Sequence, residues 1–190
     1  FREFKVVEKR VFIGSFINWE KLKKSYTTIK KDLSGVVSGS WVKPENFHIT
    51  YKFLGNTKLD KINEILEILN KYFDKELEAN ISLKGLGVFP NLDNPRVLFY
   101  KVVENQVLKE IFLDLEEKLY NIGYKKEIKP FIPHITILRI KEVKQAQFIE
   151  KLKNYEEELF LEQKTITVNL IESILNPKGA VYKKLDNRSF

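Results

Sequence analysis

Hydrophobic and polar residues follow two different periods along the chain, and these periods predict its helices and strands. Segments rich in β-branched and aromatic residues with near alternation are typical of strands, and apolar residues recurring every three to four positions indicate helices. The predicted strands cover 9–17, 35–41, 46–55, 81–88, 96–103, 131–139, 165–173 and 181–185. The predicted helices cover 19–33, a segment that starts at 57–60, 107–122 and 143–154.

The predicted helices are amphipathic and have recognisable ends. Their apolar stripes are Leu22, Tyr26, Ile29 and Leu33 in the first, Leu59, Ile62, Leu66, Leu69 and Phe73 in the second, and Leu108, Ile111, Phe112, Leu115, Leu119 and Ile122 in the third. Residues 57–60 fit a capping box that begins the second helix, and Gly123 fits a C-cap that ends the third. Residues 176–179 predict a turn before the last strand.

Strands and helices are mixed without a regular βαβ rhythm, which favours an α+β fold. The strand and helix content recurs around two short motifs, so we expect two pseudo-symmetric lobes related by an approximate twofold. No Ser-, Gly- or Pro-rich linker separates them, and residues 1–190 are therefore predicted to form one bilobal domain.

Composition is that of a globular protein, with 43% hydrophobic and 13% aromatic residues. No apolar run approaches the ~20 residues needed to cross a bilayer, and the N-terminus lacks the apolar core of a signal peptide. The chain has no cysteine, which excludes disulfides, thiol catalysis and thiolate metal ligands. We therefore expect a cytoplasmic protein with no membrane partner.

The net charge is +7, from 33 basic and 26 acidic residues. A positive surface attracts polyanions such as RNA. A surface rich in lysine and glutamate also fits a thermophilic source. The charge by itself therefore leaves both interpretations open.

Two His-Ile-Thr tripeptides contain every histidine of the chain. They begin at His48 and His134, 86 residues apart, and both lie in predicted strands. Residues two apart in a strand share a face, so His48 lies beside Thr50 and His134 beside Thr136. A single such tripeptide is typically structural, but two copies indicate a shared active site.

The paired motifs supply the groups needed for displacement at phosphorus without a metal. One imidazole can accept a proton from the nucleophile while the other protonates the leaving oxygen, and the threonine hydroxyls can donate hydrogen bonds to the oxyanion. A zinc hydrolase is not favoured, because the two histidines are far apart and the chain lacks cysteine. No P-loop pattern appears, so ATP-driven ligation has no support.

At these residues the sequence resembles the 2H phosphoesterase superfamily, and within it the RNA 2′,3′-cyclic phosphodiesterases, historically called 2′-5′ RNA ligases. The resemblance covers residues 9 to 185 in order. It is carried by Arg10-Val11-Phe12-Ile13, by 41–55, by Leu86-Gly87-Val88-Phe89-Pro90, by Pro95-Arg96-Val97-Leu98, by 133–139, and by Ile171-Glu172-Ser173 with Gly179 and Tyr182. Tyr51 departs from it, because the family more often has leucine there.

The resemblance implies two antiparallel sheets, helices outside them, and a cleft that holds both motifs. It further implies hydrolysis of an RNA 2′,3′-cyclic phosphate to a 2′-phosphomonoester without a cofactor, with His48 as proton donor and His134 as proton acceptor. Two alternatives remain: a 2′-5′ RNA ligase that joins cyclic-phosphate and 5′-hydroxyl ends, and a non-catalytic RNA-binding module. A monomer is expected in each case.

Four further residues are candidates for substrate contact. Arg139 can pair with phosphate, although strict alternation places it opposite His134 unless a bulge or the strand end turns it. Lys52 shares the predicted face of His48. Phe12 and Phe131 can stack a base or pack in the core.

Overall fold

The computed structural model describes residues 6–189, which form two antiparallel sheets with four α-helices. The first sheet has the order β3-β1-β8-β9. Its strands are β1 (Glu8–Phe16), β3 (His48–Lys58), β8 (Asn169–Asn176) and β9 (Gly179–Leu185). The prediction of an α+β fold with antiparallel sheets is confirmed.

The second sheet has five strands in the order β2-β6-β5-β4-β7. They are β2 (Val37–Trp41), β4 (Leu77–Phe89), β5 (Val97–Val102), β6 (His134–Val143) and β7 (Leu159–Ile166). One His-Ile-Thr motif therefore starts β3 in the first sheet, and the other starts β6 in the second. Strands β3 and β6 also contact each other where the sheets meet.

The helices are α1 (Lys23–Asp32), α2 (Leu59–Leu69), α3 (Gln106–Asn121) and α4 (Gln145–Lys153), and a 3₁₀ turn at Trp19–Leu22 leads into α1. The predicted stripe of α1 is fully buried, and Ile62, Leu66 and Leu69 of α2 are buried as well. One hydrophobic core draws side chains from both sheets and all four helices. Among residues 6–189, no helix is long and apolar enough to span a bilayer.

The predicted C-cap at Gly123 is confirmed. Gly123 has φ +104°, its amide donates to the Tyr120 carbonyl at 3.0 Å, and the Tyr124 amide donates to the Leu119 carbonyl at 3.0 Å. The predicted capping box at 57–60 is wrong. Thr57 belongs to β3 and its hydroxyl donates to the Gly55 carbonyl, so the strand continues to Lys58 and leads directly into α2.

The predicted strand at 165–173 is also wrong, because it is two strands of different sheets. β7 pairs with β4 in the second sheet, and β8 pairs with β1 in the first. The chain crosses between them at Thr167 and Val168, where the Thr167 hydroxyl donates to Asn169 Oδ1 at 2.9 Å. Alternation alone predicts a strand but carries no information about which sheet the strand joins.

Candidate active site

Each histidine is held by the backbone just before its strand. Nδ1 of His48 lies 2.6 Å from the Asn46 carbonyl oxygen, and Nδ1 of His134 lies 2.8 Å from that of Ile132. A carbonyl oxygen only accepts, so Nδ1 carries the hydrogen in both rings. Nε2 is therefore the nitrogen left to exchange a proton with a ligand.

Aromatic rings surround both imidazoles. The His48 ring centroid lies 4.8 Å from that of Phe12, 5.2 Å from Tyr182 and 6.4 Å from Phe16. His134 has the same type of surroundings, with Phe89 at 4.8 Å and Phe99 at 5.1 Å. These rings fix the orientation of each imidazole and remove water from one of its sides.

Burial sets the protonation state of the two rings. Burial is the main reason that the pKa of His48 falls to about 4. The Asn46 carbonyl opposes this shift, and the positive charges of protonated His134 and of Arg139 add smaller downward effects. The pKa of His134 is also lowered, first by burial and then by Arg139, against the opposing Ile132 carbonyl. Both pKa values lie below the ordinary 6.5, so both imidazoles are neutral at pH 7 in the free protein.

A β-bulge follows each motif and changes which side chains reach it. On β3, Lys52 pairs with Ile13 and Thr50 with Gly14, so Tyr51 is an extra residue. On β6, Leu138 pairs with Leu98 and Thr136 with Phe99, so Ile137 is an extra residue. Each bulge shifts the alternation by one position, three residues after the histidine.

The second bulge brings Arg139 to the side of the motif. Arg139 is exposed, whereas Ile137 and Leu138 before it are both buried. Its positive charge lowers the pKa values of His48, His134 and Tyr182. Arg139 therefore lies on the side of the histidines, near enough for its charge to act on both imidazoles.

The first bulge has the opposite effect on Lys52, and the expectation that Lys52 shares the face of His48 is wrong. Lys52 is only 6% exposed and points into the protein. Phe53 lies instead on the face of His48, where its ring is 6.0 Å from that of Phe12. Its ammonium contacts Glu116 Oε1 at 2.8 Å, the Lys125 carbonyl oxygen at 2.7 Å and Glu127 Oε1 at 3.2 Å. Two hydrogen bonds and an ion pair hold the ammonium in this buried position, away from a substrate.

The two threonine hydroxyls are available to a ligand. Thr50 and Thr136 are half-buried, and neither hydroxyl bonds to another of residues 6–189. Within that range no buried side-chain polar atom lacks a partner. An unpartnered hydroxyl must therefore be open to solvent, as an oxyanion donor has to be.

Sequence reasoning gave no role to several residues of this region. Tyr182 comes from β9, and burial raises its pKa against the opposing charges of Arg139 and Arg10. Its presence in the resembling tail segment was the only signal. Phe131, by contrast, stacks face to face on Phe112 at 4.5 Å, which is packing typical of a core. No three His, Cys, Asp or Glu side chains of residues 6–189 are grouped as metal ligands would be.

The two sheets and the paired motifs define the class as 2H phosphoesterase. A model of the AKAP7 2′5′ RNA ligase-like domain matches residues 12–190. The RNA 2′,3′-cyclic phosphodiesterase of Archaeoglobus fulgidus is 34% identical over 93% of this chain and 97% of its own, and that of Aquifex aeolicus is 33% identical over 91% and 93%. This chain belongs to the RNA 2′,3′-cyclic phosphodiesterase family.

Solved structures agree with that assignment. TT0787 of Thermus thermophilus superposes with a TM-score of 0.73 at 25% identity, covering 93% of this chain and 95% of its own. E. coli LigT in complex with 3′-AMP has the same fold, with a TM-score of 0.69 at 18% identity over 95% and 97%.

Proposed function

We propose that this protein hydrolyses the 2′,3′-cyclic phosphate at the 3′ end of RNA in a cleft between its two sheets. One arrangement carries the proposal: two electrostatically coupled imidazoles, each tethered through Nδ1 and each followed by a threonine two residues on. The names of the relatives supply the substrate class. We further infer that the protein acts as a monomer in the cytoplasm.

In the proposed reaction, His134 Nε2 takes a proton from water as its oxygen bonds to phosphorus. His48 Nε2 gives a proton to the 3′ oxygen as the bond from phosphorus to that oxygen breaks. The product is a 2′-phosphomonoester with a free 3′ hydroxyl, and no metal takes part. The two histidines end with the opposite protonation states and return to the start by exchanging protons with solvent.

The remaining polar side chains stabilise the charge that grows on the phosphorane. Thr50 and Thr136 donate hydrogen bonds to its non-bridging oxygens, and Arg139 pairs with its negative charge. The bound phosphate also explains how His48 can be protonated, although it is neutral in the free protein. Its negative charge raises the low pKa of His48, so that this ring is protonated when substrate is present.

The decisive experiment incubates the purified protein with excess EDTA and a short RNA that ends in a 2′,3′-cyclic phosphate. We expect a 2′-phosphate product. His48→Ala and His134→Ala should each lower kcat by about 10²–10⁴-fold while RNA binding is retained. Near wild-type turnover in either variant contradicts the two-imidazole mechanism, and a strict need for metal contradicts the metal-free reaction.

RNA ligation is the second candidate, because the matching family model describes a 2′5′ RNA ligase-like domain. By microscopic reversibility the same groups can activate a 5′ hydroxyl in place of water, giving a 2′-5′ linkage. Adding a 5′-hydroxyl RNA to the assay measures this reaction. Joined RNA that exceeds the 2′-phosphate product would favour ligation over hydrolysis.

A further inference from the structure

A pocket of about 360 Å³ lies where the second sheet meets α4. Gly87, Phe99 and Lys101 line it from the sheet, Asn91 from the β4–β5 loop, and Ile149 and Lys153 from α4. The Gln145 side chain at the start of α4 donates to the Leu92 and Asp93 carbonyls at 3.0 and 3.2 Å. These bonds hold the loop against the helix and close one end of the pocket.

The pocket lies next to the candidate active site and shares a side chain with it. The Phe99 ring lines the pocket and also lies 5.1 Å from the His134 ring. Lys101 is the cross-strand partner of His134 on β5, so the two side chains lie on one face of the sheet. A ligand that extends beyond His134 on this face therefore meets Lys101 and then the pocket.

Gly87 makes room for the two side chains that lie between the histidine strand and the pocket, Phe99 and Lys101. A Cβ atom at Gly87 would lie 2.5 Å from the Phe99 ring and 3.2 Å from Lys101 Cε. Any larger residue would displace the ring and the lysine stem that now lie across the glycine. The absent side chain thus lets the Phe99 ring and the Lys101 stem pack against β4, where both line the pocket.

The wall formed by β4 offers hydrogen-bonding groups. Strand β7 pairs with β4 only as far as Lys84, and the Gly85 amide donates to the Glu158 carbonyl at 2.9 Å. Beyond that point, within residues 6–189, the β4 edge at 86–88 has no neighbouring strand on the pocket side. Backbone groups on a free edge, together with the exposed Asn91 amide, can bond the polar edge of a base.

We propose that this pocket binds the nucleoside on the 5′ side of the terminal nucleotide, with Lys101 at the phosphate that joins the two. The inference rests on the proposed function and names a second subsite of the same cleft. An apolar floor of Leu86, Ile149 and Leu152 and a polar rim suit a base, and a lysine beside the catalytic face suits its phosphate. The enzyme therefore prefers a cyclic-phosphate oligonucleotide over the corresponding mononucleotide.

The test compares kcat/KM for 2′,3′-cyclic AMP with kcat/KM for the dinucleotide ApA that ends in a 2′,3′-cyclic phosphate. We expect the wild-type protein to favour the dinucleotide by about tenfold or more. Lys101→Gln, which removes the cation, and Ile149→Trp, which fills the pocket, should each reduce that ratio toward one. Lys24→Gln, an exposed lysine of α1, is the matched control and should leave the ratio unchanged.

Binding of the fluorescein-labelled dinucleotide product, followed by anisotropy, is measured on the same proteins after circular dichroism confirms their fold. Weaker binding in both pocket variants supports the subsite. Turnover of the mononucleotide without a dinucleotide preference overturns the subsite and leaves the proposed reaction standing. Absence of turnover on both substrates overturns the proposed reaction. The binding assay then decides the subsite, because dinucleotide binding that is unchanged in both pocket variants overturns it.

Discussion

A few contacts determine the tautomer and the protonation state of the two histidines. The same Nδ1 contact to the carbonyl two residues earlier fixes the tautomer of both histidines. Burial then keeps both rings neutral. An isolated histidine has the same pKa wherever it stands in a sequence. Any difference in acid or base strength between His48 and His134 therefore comes from the residues around each ring.

The low pKa of His48 predicts how stability depends on pH. Its pKa is about 4 when folded, against an ordinary value of 6.5, so between these pH values the unfolded chain binds more protons. The contribution to stability is complete above pH 6.5 and is lost as the pH falls toward 4. We expect the free energy of unfolding in urea to drop by on the order of 2 kcal/mol more between pH 7.5 and 5 in wild type than in His48→Gln. Equal drops in the two proteins would contradict the shift.

Arg139 gives a second prediction at the residue scale. Arg139→Gln removes a positive charge beside both histidines, so the pKa values of His48 and His134 should rise toward 6.5 in an NMR titration. The loss of a phosphate partner should lower kcat/KM by about 10²-fold. Arg139→Lys keeps the charge but loses the two-pronged geometry of the guanidinium. The histidine pKa values of this variant should therefore be close to those of the wild type, while its kcat/KM should stay low. Lys164→Gln, an exposed residue of β7, is the control and should change neither quantity.

At the scale of elements, a buried ion pair connects the two motifs. Lys52 on β3 holds Glu116 of α3 together with Lys125 and Glu127 of the loop that leads to His134. The Glu127 amide also donates to Glu116 Oε2 at 2.6 Å. The strand of the first motif is thereby tied to the approach of the second.

This network predicts a large effect on stability. Lys52→Ala leaves the Glu116 carboxylate buried without its cation, which should lower the free energy of unfolding by about 3–5 kcal/mol. The double variant Lys52→Met with Glu116→Leu removes both charges and should recover much of that loss. Lys126→Ala breaks an exposed pair with Glu117 nearby and serves as the control with little effect. A mild effect of Lys52→Ala in urea unfolding would contradict the importance of this buried ion pair.

At the scale of the whole molecule, two antiparallel sheets share one core, and each contributes one motif strand. The protein carries a net charge of +7. Such a surface raises the local concentration of RNA over the whole protein, in contrast to the specific contacts of the site.

The charge predicts a salt dependence that differs between substrates. Raising salt from about 50 to 200 mM should lower kcat/KM more steeply for a cyclic-phosphate oligonucleotide than for a cyclic mononucleotide. Each extra phosphate that the protein neutralises adds about −0.7 to the slope of log(kcat/KM) against log salt. The mononucleotide is the internal control. Equal slopes would mean that the positive surface of the protein does not contact the RNA chain.

Much of the fold follows from local pattern, because alternation and helical spacing act within a few residues. The stripe of α1, the C-cap at Gly123 and the strands of both motifs are all visible in the sequence. The split between β7 and β8 is not, since pairing partners lie far away along the chain. The predicted cap at Thr57 was wrong for a related reason. Pairing with β1 extends β3 to Lys58, beyond the predicted end of the strand at residue 55.

The sequence by itself determined that this protein has two histidine strands, with a threonine beside each histidine, in a basic α+β chain of the RNA 2′,3′-cyclic phosphodiesterase family. Only the tertiary structure decided that Arg139 lies on the side of the imidazoles and that Lys52 does not. The reason is that a bulge depends on the register between neighbouring strands, and one extra residue turns the side chains that follow it to the other face. The rings of Tyr182 and Phe99 around the histidines likewise come from other strands, so no local pattern could have placed them there.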